Sequence, residues 1–320
     1  MKMAGLLVAL VGPAGVGKNQ LMKHVMANSP ITQLPTATTR AIRDGELEGR
    51  EHFFVTRDEF LKLIADDQML EYQEVHRRFY GMVRRVVENA FAHGQPIIAD
   101  IDIYGAMTIR QRYPEQTVSV FIQPPSIGSL IERMRARGDR EAEISKRLLR
   151  VPLELDLASN CDYIVINDEF AQAAHGLLEI VRAEIAGTPD RPASVSAQLA
   201  HPYQYVARVI PLRGDQVLCS DGSFPTAVIG KDDQPFERAL FALRSQLGIE
   251  PSLERLIHAE LPHDKYVPPL SLDYELTATG EVITFNYLYR LEDTATLPQR
   301  WQWEPIQQQT NLDFVKGLVG

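Results

Sequence analysis

Gly12-Pro13-Ala14-Gly15-Val16-Gly17-Lys18-Asn19-Gln20 reads GPAGVGKNQ and follows the apolar run Leu6-Leu7-Val8-Ala9-Leu10-Val11. Apart from one position it is the phosphate-cradling loop G-x-x-x-x-G-K-[ST]. Gly15 and Gly17 tolerate backbone angles that other residues avoid, so successive N–H groups can converge on phosphate oxygens at a helix N-terminus. Lys18 adds a point charge directed at the outer phosphates. Asn19 stands where a hydroxyl normally meets Mg2+, and its amide oxygen can still coordinate the ion directly or through water. The order strand, glycine loop, helix is the one this chemistry needs, and it predicts the buried first strand of a parallel sheet.

Working outward, strands and helices alternate. Thr56 with Glu59 three residues on is a capping box opening a helix at Thr56–Ile64. Pro96–Asp100 is an apolar run closed by acid, and Val118–Ile122 is a strand ended by Pro124-Pro125. Ser126–Arg137 reads as a helix stopped by Gly138, and Tyr163–Ile166 as a last strand before a helix near Ala171–Ile185. Alternation of this kind predicts a doubly wound α/β sheet over residues 1–187. Residues 188–200, with Pro189, Pro192 and Ser/Ala but no apolar period, read as a linker. Residues 201–320 turn strand-rich, with one clear helix at Pro235–Leu247 ended by Gly248, and read as a smaller α+β domain.

The chain has 320 residues, which favours two domains over one. A net charge of −9 opposes a general nucleic-acid or membrane-surface role. Lys2 before Ala4–Val11 mimics a short leader, but the glycine loop follows at once, so a strand is expected there. No apolar run approaches the ~20 residues of a membrane span. Cys161 and Cys219 make no ligand spacing and read as buried thiols of a reducing cytoplasm. His201, His258 and His263 likewise lack partners at ligand spacing. Trp301 and Trp303 alternate along an apparent strand, which puts both on one packed face.

Three more stretches carry chemistry. Arg40 and Arg43, in a Gly-containing loop up to Gly49, suit a dianionic phosphate, because planar guanidinium groups bind it through two hydrogen bonds. Glu71-Tyr72-Gln73 is followed by Phe79-Tyr80-Gly81. Asp100 and Asp102 would share one face if the strand persists, and an acid at the carboxyl end of a strand beside a phosphate loop manages Mg2+ and its waters.

Together with FIQPPS (Phe121–Ser126), RMRARG (Arg133–Gly138), ISKRL (Ile144–Leu148) and DYIVIND (Asp162–Asp168), these stretches resemble guanylate kinase from about Leu6 to Ile185. The resemblance implies a P-loop nucleoside monophosphate kinase-type parallel sheet with acceptor-binding and lid regions, using Mg2+ with ATP. It implies that Gly12, Pro13, Ala14, Gly15, Val16, Gly17 and Lys18 hold the ATP phosphates, with Asn19 and Asp100 toward the metal and Asn167 near the adenine. It further implies Thr36, Arg40, Arg43, His52 and Tyr80 around the acceptor phosphate. Glu71, Met82 and Asp102 would then lie beside the acceptor nucleoside, with Arg133, Arg137 and Arg147 closing as a lid over the transferring group. Three positions depart from the family: Asn19 replaces Ser/Thr, His52 replaces a phosphate-binding Tyr, and Met82 replaces a Ser or Thr that reads guanine. Met82 offers no good hydrogen bond, and losing one base contact costs ~1–3 kcal/mol of discrimination.

The leading expectation is ATP-dependent phosphorylation of GMP or dGMP. Ribose 1,5-bisphosphate kinases, which resemble guanylate kinases, are a second option favoured by Asn19 and Met82. A non-catalytic nucleotide- or protein-binding module is a third. The expected partners are ATP and a small GMP-like acceptor in the cytoplasm, with no nucleic acid and no membrane, and with a homodimer as a further option. From Tyr203 to Val319 the chain faintly resembles a Nudix domain; an unrelated α+β domain is the alternative. Aligned on Gly248-Ile249, the Arg and three Glu of the Nudix helix fall on Phe241, Ala242, Ser245 and Gln246, which leaves no carboxylate for a Mg2+ cluster. A binding, regulatory or dimerisation role is expected of this domain.

Overall fold

The structure, a computed structural model, describes residues 5–43, 45–50, 52–75, 78–257, 266–291, 297–309 and 312. His258 and His263 lie outside the described residues. The chain begins β1 (Leu6–Val11), α1 (Lys18–Asn28), β2 (Thr32–Gln33), β3 (Thr36–Thr38), β4 (His52–Phe54), α2 (Arg57–Ala65), β5 (Met69–Val75) and β6 (Arg78–Val83). It continues α3 (Arg84–Ala92), β7 (Pro96–Asp100), α4 (Ile103–Arg112), β8 (Thr117–Gln123), α5 (Ile127–Ala136), α6 (Glu141–Leu148), α7 (Val151–Leu157), β9 (Tyr163–Ile166) and α8 (Phe170–Ala186). Last come β10 (Tyr203–Arg213), β11 (Gln216–Cys219), β12 (Thr226–Val228), α9 (Pro235–Leu247), β13 (Leu256–Ile257), β14 (Ser271–Thr277), β15 (Gly280–Arg290) and β16 (Gln302–Pro305). Two compact units result, Met1–Pro125 with Leu153–Gln198, and Ser126–Pro152 with Leu199–Gly320.

In the first unit a parallel sheet has the order β2-β7-β1-β8-β9. Every residue of β1 is buried, as an apolar run flanked by two strands and covered on both faces requires. The chain moves to opposite sides of β1 to form β7 and β8, so the crevice at the carboxyl end of β1 is the expected ligand position of such a sheet. A separate four-stranded sheet, β4-β3-β6-β5, carries Thr36, His52, Glu71 and Tyr80. α2 opens with the full Thr56–Glu59 capping box. The segment after α8 is tied down: Gln123 Nε2 donates to Gln198 O at 2.7 Å and Gln123 Oε1 accepts from Gln198 N at 3.0 Å.

The second unit is a mixed sheet built on the parallel pair β10 and β15, in the order β13-β15-β10-β11-β16 with β12 on β10 and β14 on β15. Tyr287, Tyr289 and Phe285 are its largest fully buried side chains. Tyr287 Oη donates to Val267 O at 3.1 Å, and Tyr289 Oη accepts from Ser252 N at 3.1 Å. α9 ends at Gly248, whose φ of 68° is the left-handed conformation a glycine stop provides. Trp301 and Trp303 do not share one strand as the alternation predicted. Trp301 precedes β16 and closes a turn on Pro298, whereas Trp303 lies in β16 with the Arg213 guanidinium 4.0 Å from its ring centre. Of the helix positions aligned with the Nudix carboxylates, Ala242 is buried, Ser245 is exposed, and Gln246 Nε2 donates to Thr226 O at 2.6 Å.

Candidate active site

The glycine loop joins the buried end of β1 to α1, whose N-cap is Gly17 at φ 98°. Gly12 (φ 134°) and Gly15 (φ 84°) are also left-handed. At Gly12 the constraint is double, because a Cβ there would lie 2.4 Å from the Ile122 carbonyl oxygen of β8. Gly12→Ala is expected to cost about 2–4 kcal/mol from strain and clash together. Urea unfolding measures it, and a cost under ~0.5 kcal/mol would show that the loop does not press on β8.

Lys18 Nζ donates to Gly12 O at 2.5 Å and Pro13 O at 3.2 Å, and lies 3.6 Å from Asp100 Oδ1. The ammonium is therefore folded back over its own loop, within reach of where phosphates would bind. Asn19 is exposed on the first turn of α1. Asp100 ends β7 with a third of its side chain open to solvent. Burial of the rest still raises its carboxyl above the ordinary range, with Lys18 opposing. A hard oxygen pair such as the Asp100 carboxylate and the Asn19 amide fits Mg2+, an ion that keeps several waters and leans on the nucleotide phosphates. Among the described residues no group of three or more His, Cys, Asp or Glu is arranged to hold a metal by itself. Asn167 is 4% exposed, and its Nδ2 donates to Val16 O at 2.7 Å. It thus braces the loop from β9.

The second sheet gathers the phosphate-type residues. Arg40 is 6% exposed. Its Nη1 donates to Glu46 Oε2 at 2.6 Å and to Ala41 O at 2.9 Å, and its Nη2 pairs with the other oxygen of Glu46. The pairing holds Glu46 down to about 2, the Arg40 hydrogen bond being the main cause, and raises Arg40. Arg43 is exposed, and its backbone N–H donates to Glu46 at 2.8 Å. Glu46 is the organiser of this loop, and its spacing alone does not reveal that it locks Arg40. Thr36 Oγ1 and His52 Nδ1 share a 2.7 Å hydrogen bond across β3 and β4, with the Tyr80 ring 6.3 Å from His52. Thr36, His52 and Tyr80 thus lie together on this sheet.

Glu71 owes its direction to a β-bulge. Met69 pairs with Val83 but Glu71 pairs with Met82, which leaves Leu70 as an extra residue. Bulges re-aim side chains in this way beside functional sites. A Cβ on Gly105 of α4 would lie 3.2 Å from Glu71 Oε2 and 3.4 Å from Asp102 Oδ1, so both carboxylates face the bare start of that helix. Burial, then the charge of Asp102, pushes the Glu71 carboxyl up to about 7, with the Met82 backbone opposing. Asp102 does not extend the strand alongside Asp100. β7 stops at Asp100, and Asp102 caps α4 by accepting from Gly105 N at 2.7 Å. A helix cap competes with the strand at this position because it satisfies an otherwise unpaired amide. Met82 is not brought to the pocket surface. It is fully buried in a cluster with Leu7, Ala9, Leu34 and Ile101.

The three arginines that the resemblance assigned to a lid belong to the second unit. Arg133 lies in the last turn of α5 and Arg137 caps its end. Arg137 Nε donates to Asp139 Oδ1 at 3.2 Å, and Arg137 and Arg147 both pair with Asp139 Oδ2. These contacts lower the Asp139 carboxyl, the Arg137 hydrogen bond first. Asp139 was not singled out in the sequence, although its place after the Gly138 turn was a signal.

A family model described as guanylate kinase matches residues 5–184. A guanylate kinase of Symbiobacterium thermophilum is 39% identical over 189 residues, spanning 58% of this chain and 89% of that protein. A crystal structure of guanylate kinase from Anaplasma phagocytophilum is 32% identical with a TM-score of 0.46, over 57% of this chain and 87% of that one. A crystal structure of a Nudix-family hydrolase from Clostridium perfringens is 14% identical with a TM-score of 0.27, over 32% of this chain and 80% of that one. Among the described residues no helix is long and apolar enough to cross a membrane.

Proposed function

The chain belongs to the guanylate kinase family, matched over residues 5–184, and from that premise we propose that it transfers the γ-phosphoryl group of ATP to GMP or dGMP. An ATP-dependent nucleoside monophosphate kinase needs alignment and charge neutralisation more than a covalent nucleophile. The observation that carries the acceptor assignment is Glu71, a half-buried carboxylate aimed by a bulge at the start of α4 beside Asp102. Such a carboxylate suits the adjacent N–H groups of a guanine edge. On the same sheet Tyr80, His52 and Thr36, with Arg40 just past the end of β3, would provide the cationic and hydroxyl contacts a monophosphate takes.

The loop amides from Gly12 to Lys18 bind the ATP phosphates, and the Lys18 ammonium exchanges its bonds to Gly12 and Pro13 for phosphate oxygens. Asp100 and Asn19 would hold Mg2+ through its waters; the bound ion supplies charge neutralisation. The resemblance assigns Arg133, Arg137 and Arg147 to neutralising charge on the transferring group. A cytoplasmic setting fits this use of ATP. Asn19→Ser restores the usual hydroxyl and is expected to preserve or raise kcat; a large loss would give Asn19 a specialised role.

One observation favours a second acceptor. With Met82 sealed in the core, no side chain at that position reads a base, which suits a sugar bisphosphate such as ribose 1,5-bisphosphate. ADP release with GMP, dGMP, AMP, CMP, UMP and ribose 1,5-bisphosphate separates the two. Turnover on guanine nucleotides alone supports the proposal. Turnover on the sugar bisphosphate alone replaces it, and no turnover on any acceptor removes the kinase reading.

A further inference from the structure

The lid helices and the C-terminal sheet form one compact unit, and the contacts within it are specific. The first two amides of α5 are bound by a side chain distant in sequence: Glu281 Oε2 accepts from Ile127 N at 2.8 Å and Oε1 from Gly128 N at 3.0 Å. Ser126 caps the next free amide, that of Ser129, at 3.1 Å. Glu281 is 5% exposed and fixed at its own backbone, since its N–H donates to Pro202 O at 2.8 Å. A buried carboxylate held on a helix N-terminus by two charge-assisted hydrogen bonds is a directional joint, and the helix dipole reinforces it.

The joint has a second half. Tyr274 of β14 covers Gly128 so closely that a Cβ there would lie 2.7 Å from its ring, and its hydroxyl donates to Glu132. Glu141 of α6 takes Arg135 Nε at 2.8 Å and Leu272 N at 3.0 Å, while Arg135 Nη2 donates to Leu272 O at 2.5 Å. Tyr266 Oη donates to Ser145 Oγ at 2.7 Å and Tyr205 Oη to Leu148 O at 2.8 Å. Both helices are thus gripped by the sheet, α5 at its start and again near its end, and α6 along its length. Arg133 and Arg137 sit at the far end of the ten-residue helix whose near end Glu281 holds. The far end is held too, by Arg135 on Glu141 and Leu272, so Glu281 and Arg135 together fix the axis of the helix that carries those guanidinium groups.

We propose that Glu281 is a positioning residue for phosphoryl transfer, and that the C-terminal domain serves to hold and aim the lid arginines through it. This rests on the kinase reading above.

The test uses the full chain. Glu281→Gln keeps the shape but removes the charge and one acceptor oxygen. Gly128→Ala favours the helix by intrinsic propensity yet pushes Tyr274 and Glu281 away. Both variants are expected to lower kcat about 10- to 100-fold, the scale of an ångström-level misplacement. ATP affinity and acceptor KM are expected to stay within about twofold, because those contacts belong to the first unit. Arg133→Ala is expected to cost less in the Glu281→Gln background than in wild type, and amide exchange at Ile127 and Gly128 to quicken. Folded variants with kcat within twofold of wild type, or full additivity with Arg133→Ala, would overturn the positioning role while leaving the kinase reading intact. A wild-type protein inactive on every acceptor would overturn the kinase reading and this role with it.

Discussion

Lys18→Ala is expected to lower kcat about 10²- to 10³-fold, the usual cost of removing one preorganised electrostatic contact to a transition state. The expectation follows from the neighbours of Lys18. Its ammonium lies against Gly12 O and Pro13 O and 3.6 Å from Asp100, at the mouth of a loop whose three left-handed glycines exist to expose backbone amides. Alanine leaves that backbone in place, so ATP should still bind and the melting temperature should shift by no more than a few degrees. Asp100 loses its only opposing cation among the causes acting on it, and its already raised carboxyl should rise further. Single-turnover kinetics with a thermal melt separate the effects. Turnover within threefold of wild type would remove the phosphate-loop assignment.

Glu71→Gln is expected to raise the acceptor KM about 10²-fold, as two hydrogen bonds to a charged acceptor are weakened at ~1.5–3 kcal/mol each. It should also abolish a pH dependence. With the Glu71 carboxyl at about 7, acceptor KM in the wild type should rise as pH falls through 7, approaching tenfold per unit, and level off above it. The direction follows because only the carboxylate accepts from both guanine N–H groups. Stability should run the other way. The folded state binds this proton more tightly than the unfolded state does, so ionisation of Glu71 costs stability as pH rises through about 7. Glu71→Gln should therefore melt higher than wild type at pH ~8 and lose that advantage below the unfolded carboxyl range. A wild-type KM that is flat from pH ~6 to ~8 would separate Glu71 from acceptor recognition.

Which parts of the protein were legible depended on the distance over which the deciding interaction acts. The phosphate loop, the Thr56 capping box and the Gly138 and Gly248 helix stops are local chemistry: a dihedral angle or one hydrogen bond within a few residues. So is the alternation that specifies the parallel sheet around β1, because burial on both faces writes itself as a continuous apolar run. By itself the sequence determined the α/β fold of the front unit and the glycine loop at the end of β1. The aim of Glu71 was decided by a bulge at Leu70, visible only once β5 pairs with β6. Asp102 became a helix cap where strand periodicity had placed it beside Asp100. Met82 went to the core because it packs into a cluster with Leu7, Ala9, Leu34 and Ile101, apolar residues distant from it in sequence. The lid's attachment to the C-terminal sheet rests on groups more than a hundred residues apart, such as Glu281 with Ile127 and Gly128. No local pattern encodes such a pair; it exists only when the whole unit has closed around it.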